Sequence, residues 1–151
     1  MRELIKLSRE RLDEITRNRD NYKSYFWNKL CASYALSEEF IEENLNYIYW
    51  PCISSYQRLS EDFIRKYKNY MDWDEICEHQ DLSHDFIREF TKYIDFDYVT
   101  WYNPLTRDFV MEFHEKLDLD DIKFRNQIEN FMAEEELDSL IVMKKLVGGD
   151  E

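Results

Sequence analysis

Apolar and polar positions along this chain recur with a period of 23 residues. Leu36, Leu59, Leu82 and Leu105 open the period, and Ser37, Ser60, Ser83 and Thr106 follow them. Phe40, Phe63, Phe86 and Phe109 come next, each with a branched aliphatic residue behind it: Ile41, Ile64, Ile87 or Val110. Ile48, Met71, Ile94 and Leu117 precede a bulky column of Trp50, Trp73, Phe96 and Leu119. Ile53, Ile76, Val99 and Ile122 follow, and Gln57, Gln80, Asn103 and Asn126 close the unit. Columns that agree over four units without a gap are the signature of an internal repeat.

The pattern inside one unit predicts two helices. Ser60 is placed to cap the first, with Leu59 and Ile64 at the spacing of a hydrophobic staple. Phe63, Ile64, Tyr67, Tyr70 and Met71 then share one helical face about 120° wide, while Arg65, Lys66 and Asn69 point away. That spacing predicts a first helix of about ten residues and a second of about seven. Asp72 and Glu75 read as a capping box opening the second helix, whose inner face carries Trp73, Ile76 and Gln80. Pro51 falls in the first turn of its own second helix, where the missing N–H costs little.

One such unit has too few apolar anchors to fold alone, so neighbours must share a core. The expected fold is therefore all-α: a short solenoid of 23-residue two-helix repeats in a single domain, 1–151. Its parts are a divergent N-terminal unit (1–35), four clear repeats (36–127) and a C-terminal capping helix (128–147). The four phenylalanines are expected to be equivalent core residues. Leu7, Ser8, Leu12, Trp27 and Leu30 fit the first copy after an insertion of about six residues. Ile128, Met132 and Leu140 continue the columns at the other end. The Gln/Asn column is expected to satisfy backbone groups where units meet.

Composition agrees with helices joined by short polar turns. The only glycines are Gly148 and Gly149, too few for an all-β protein or for a Gly-rich phosphate loop. Neither a signal-peptide core nor a membrane-spanning run is present, which points to a soluble cytoplasmic protein. Cys31, Cys52 and Cys77 form no Cys-x-x-Cys pair, as expected of a reduced interior. The formal charge is −13, and residues beyond 23 hold 28 acids against 13 bases. That body would be repelled by phosphate, so direct nucleic-acid binding is not expected.

The segments Leu59-Ser-Glu-Asp-Phe-Ile and Trp50-Pro-Cys-Ile-Ser-Ser-Tyr-Gln resemble a repeat found in proteins of phages, large DNA viruses and some bacteria. The resemblance spans residues 24–127 and weakens in the fourth unit, where Leu119 replaces the Trp and Arg125-Asn126 replace the Tyr-Gln. It implies a helical-repeat architecture and a viral or mobile-element origin. It carries over no functional residue.

Chemistry-bearing constellations are sparse. His79, His84 and Cys77 lie close in sequence but lack the compact ligand set of a metal site, and no nucleophile–base signature stands out. Neither metal, cofactor nor catalysis is expected. Many carboxylates have a local purpose. Glu39, Asp62, Asp85 and Asp108 sit in the first turn of the first helices, and Asp72, Asp95 and Asp118 cap the second helices. There the helix dipole favours them.

The sharpest clue is a column that breaks its own habit. Two positions after the Ile of the second helix stand Ser55, Glu78, Trp101 and Phe124, about 140° from the inner face. Trp101 and Phe124, with Tyr98 and Tyr102, are the expected partner-binding residues. The competing expectation is that the C-terminal helix folds back over them. The chain thus reads as a non-catalytic protein that binds another protein, a phage- or mobile-element-encoded inhibitor or adaptor acting on a host protein. The alternative is an acidic nucleic-acid mimic that blocks a nucleic-acid-binding host protein. Mimicry predicts an affinity that falls steeply with salt, whereas aromatic anchoring does not.

Overall fold

The computed structural model describes residues 20–147, and every regular element among them is an α-helix. In chain order these are α1 (Asp20–Ser33), α2 (Glu38–Glu43), α3 (Trp50–Tyr56), α4 (Glu61–Tyr67), α5 (Trp73–His79), α6 (His84–Glu89), α7 (Phe96–Tyr102), α8 (Arg107–Phe113), α9 (Leu119–Glu129) and α10 (Glu134–Val147). The all-α expectation holds. Leu7, Ser8 and Leu12 lie outside the described residues, but Trp27 and Leu30 of the same divergent copy are buried. No helix among the described residues is long and apolar enough to cross a membrane.

The chain divides into two compact units, Met1–Gln80 and Asp81–Glu151. In the first, α3 packs against both α1 and α5; in the second, α9 packs against both α7 and α10. Successive second helices thus lie side by side within each unit, as stacking of repeats requires.

Identical local bonds recur at the predicted interval. Ser37, Ser60, Ser83 and Thr106 each accept from the amide three residues on, at 3.1–3.3 Å. The following Phe63, Phe86 and Phe109 are at most 3% exposed. Phe40 departs from the expectation: it is only half-buried. As the first of the four it has a divergent copy on one side, so the core around it is not built to the same pattern.

The first helices are shorter than predicted, at six or seven residues. Each gives way to a tight turn closed by an i→i+3 bond: Asn44 to Tyr47, Tyr67 to Tyr70, Phe90 to Tyr93 and Phe113 to Lys116. The turn corrects the placing of Tyr70 on the inner face, since it rotates the side chain outward to 62% exposure. Tyr70 instead stacks on Trp50 at 5.3 Å. In the second unit Lys116 stands at the matching position, with its ammonium 5.2 Å from the Phe96 ring centre.

The capping box at Asp72 and Glu75 does not form. The Asp72 amide that the box needs already donates to Ser54 Oγ, and Glu75 pairs with His79 at 3.2 Å. Asp95 and Asp118 do cap their helices, accepting from the amides of Asp97 and of Asp120 and Asp121.

Within each compact unit, neighbouring repeats are tied by buried side-chain amides. Gln57 Nε2 donates to the carbonyls of Cys31 and Tyr34 while its Oε1 accepts from Leu36 N–H at 2.7 Å. Gln80 repeats this with the Ser54 and Gln57 carbonyls and the Leu59 amide. Asn103 Oδ1 accepts from the Leu82 amide in the same way, at 3.2 Å. Gln57 and Gln80 each reach back about one period to tie down the end of one second helix and the start of the next repeat. This is the role expected of the column, seen in full at Gln57 and Gln80.

At the C-terminal end the expected single helix over 128–147 is replaced by two segments. Asn126 turns onto the amide and carbonyl of Met132, so α9 runs on to Glu129. Asn130 then takes a left-handed conformation (φ 49°), which asparagine tolerates better than most residues. α10 starts afresh at Glu134 and buries Leu137 and Leu140.

Candidate interaction surface

α7 and α9 divide their residues between a buried and an open face. On α7, Phe96, Val99 and Thr100 are buried, and the Thr100 hydroxyl is satisfied by the Phe96 carbonyl at 2.7 Å. On α9, Leu119, Ile122, Arg125 and Asn126 point inward. The helical period then leaves Trp101 and Tyr102 on the open side of α7 and Phe124 on that of α9.

Trp101 and Phe124 are 43% and 54% exposed, with ring centres 6.1 Å apart and planes inclined by 51°. The Trp101 indole N–H donates to Asp121 Oδ2 at 2.9 Å, which fixes the ring relative to α9. Tyr102 is 55% exposed and stacks with the half-buried Tyr98 at 6.1 Å. The four aromatic residues therefore form two ring pairs, both carried by α7 and one completed by α9.

α10 packs on α9 without closing over these rings. It is held by Leu137 and Leu140, by Lys123 to Asp138, and by a bidentate contact of Arg107 with Glu136. The far end of α10 is itself open, with Val142, Met143, Leu146 and Val147 all more than half exposed.

Arg125 was not among the predicted site residues, yet it seats the pair. Its Nη1 donates to the carbonyls of Thr100 and Asn103, and its other nitrogens grip Glu129. These carbonyls are the ones a glutamine at 126 would reach by the pattern of Gln80. The sequence signal is a long donor, Arg125, one place before the column, where the other units carry Tyr56, His79 and Tyr102. Arg125 is 8% exposed, and its charge is compensated by Glu129 and two carbonyls.

The histidines are each engaged locally. His79 pairs with Glu75, His84 stacks on Phe109 at 4.3 Å and contacts the Pro104 carbonyl, and His114 contacts the Met111 carbonyl. Among the described residues no group of three or more His, Cys, Asp or Glu is arranged to hold a metal ion. Burial pushes the Cys31 thiol up to about 12 and the Cys52 thiol to about 11, away from the thiolate form that reactivity requires.

No protein-family model matches the chain, and neither does any curated protein or solved structure.

Proposed function

We propose that this protein is a non-catalytic binding protein, a phage- or mobile-element-encoded inhibitor or adaptor that engages a host protein through the face carrying Trp101, Phe124, Tyr98 and Tyr102. The observation that carries the reading is the exposed Trp101–Phe124 pair, with the Trp101 indole fixed by Asp121 and the backbone on either side of Trp101 tied to α9 by Arg125. Large aromatics presented by a fixed scaffold lose little entropy on binding and are frequent anchors of interfaces. The viral part of the reading rests on the resemblance of the repeat units.

The mimicry alternative has less support. Several carboxylates that would have to imitate phosphates are engaged within the chain: Glu42 with Lys66, Glu112 with Arg88, Glu136 with Arg107 and Asp138 with Lys123.

The test is the double variant Trp101→Ser, Phe124→Glu, which installs the residues of the first two units. Its melting temperature should stay within a few degrees of the parent, since about half of each residue's surface already faces solvent. Host proteins captured from a lysate and identified by mass spectrometry should be lost from the variant. Undiminished capture would overturn the reading, as would a large fall in melting temperature with capture unchanged. Capture that ignores the aromatics but collapses with added salt would identify the mimic instead.

A further inference from the structure

The surface proposed above is apolar in its middle and acidic at its edge. Asp97 stands four residues before Trp101, and Asp121 three before Phe124, so each aromatic has a carboxylate one turn away on its own helical face. Asp97 is exposed, and Asp121 is half-exposed with one oxygen at the edge of the Trp101 indole.

Cations on the same two helices are withdrawn from this face. Arg125 is buried and gripped by Glu129, and Lys123 donates to Asp138. Asp118 and Asp120 line a different groove, which they share with Lys144 and Lys145. What remains beside the open ring faces is negative charge from Asp97 and Asp121.

Aromatic faces attract cations through their quadrupole, and carboxylates attract them directly. Guanidinium satisfies both at once: it is planar and weakly hydrated, stacks on a ring, and keeps its N–H fork free for a carboxylate beside the ring's edge. An ammonium is a point charge with a tighter water shell and gains less from the ring.

We infer that this face seats an arginine-bearing segment of the partner protein, with a guanidinium stacked on the Trp101–Phe124 pair and donating to Asp121. Asp97 is placed to receive a second cation of the same segment. The inference rests on the binding role proposed above and names the chemistry of its partner.

The probe is a short synthetic peptide carrying two arginines among glycine, serine and leucine, together with the same peptide bearing citrulline, which keeps the shape and removes the charge. Each is titrated into the full chain, with the Trp101 indole N–H signal followed by NMR and assigned through Trp101→Phe. The arginine peptide should move that signal and the citrulline peptide should not. Asp121→Asn should weaken binding roughly two- to five-fold, the range of one exposed cation–π or ion-pair contact. Asp97→Asn, one turn from Trp101, should weaken it by a smaller factor.

Equal binding of the two peptides would overturn the inference in favour of an uncharged apolar segment. A Trp101 signal unmoved at millimolar arginine peptide would overturn it outright, as would shifts confined to other acidic residues. The two levels of the argument fail separately. If the double variant Trp101→Ser, Phe124→Glu still captures host protein, the binding face itself is wrong. If capture is lost but charge on the peptide makes no difference, only the arginine assignment falls.

Discussion

Replacing Gln80 with leucine removes a rung of the amide ladder while keeping nearly the same volume. Gln80 Nε2 lies 2.9 and 2.8 Å from the carbonyl oxygens of Ser54 and Gln57, and its Oε1 lies 3.1 Å from the Leu59 amide. The side chain is 6% exposed, so water does not readily replace these bonds. Each such bond contributes about 0.5–1.5 kcal/mol net, and a donor left without an acceptor costs a further 1–3 kcal/mol when buried. The Leu59 amide is only partly buried, which trims the second figure. The expected loss for Gln80→Leu is therefore about 3–4 kcal/mol, a large share of the stability of a domain this size. Gln80→Asn should cost about half as much, because Asn103 shows that the shorter side chain still reaches the acceptor position, at 3.2 Å from the Leu82 amide. Urea denaturation followed by far-UV circular dichroism measures both, with a shift of midpoint at constant slope as the signature. A loss below about 1 kcal/mol for Gln80→Leu would refute the ladder as a source of stability. An Asn variant as damaged as the Leu variant would show that the three bonds do not act as argued.

Further outcomes follow from the same structure. Phe86→Ala should cost about 3–5 kcal/mol by chemical denaturation, since Phe86 is fully buried in the second unit and stacks on Phe90. Arg125→Ala should cost about 2–4 kcal/mol, because the carbonyls of Thr100 and Asn103 lose a charged donor inside the fold. Cys31 and Cys52 should resist alkylation at pH 8 until the chain opens, which a time course with and without denaturant would show. Their folded-state values lie above the ordinary 9.0, so the unfolded chain releases these protons first. The stability they contribute is present below pH 9 and is lost as the pH climbs toward about 11–12, visible as a falling melting temperature over that window.

The sequence alone determined the helical class, the 23-residue period, the Ser and Thr caps, the inward aliphatic columns and the joining role of Gln57 and Gln80. These are set by local rules: a cap bonds three residues on, and a 3.6-residue period assigns each position to a face. The same geometry puts Trp101 and Phe124 on the outward side of their helices. Local rules fail where a group has two competing partners. The Asp72 amide had both Glu75 and Ser54 available, and Ser54, eighteen residues away in sequence, holds it. Tyr70 left the inner face because the turn closed at Tyr67 takes over from the helix, a choice made by packing against Trp50.

Tertiary structure also decided what the column breaks mean. Arg125 and Asn126 looked like decay of the repeat, yet each has taken a new partner: Arg125 inherits the carbonyls of the preceding rung, and Asn126 turns forward to Met132. Whether α10 would cover the aromatic pair was equally invisible in one dimension. It depends on where α9 ends, and that end is set by the left-handed Asn130 and by the anchoring of α10 through Leu137 and Leu140. Periodicity assigns a residue to a face; only the packing of elements distant in sequence decides whether that face is then covered.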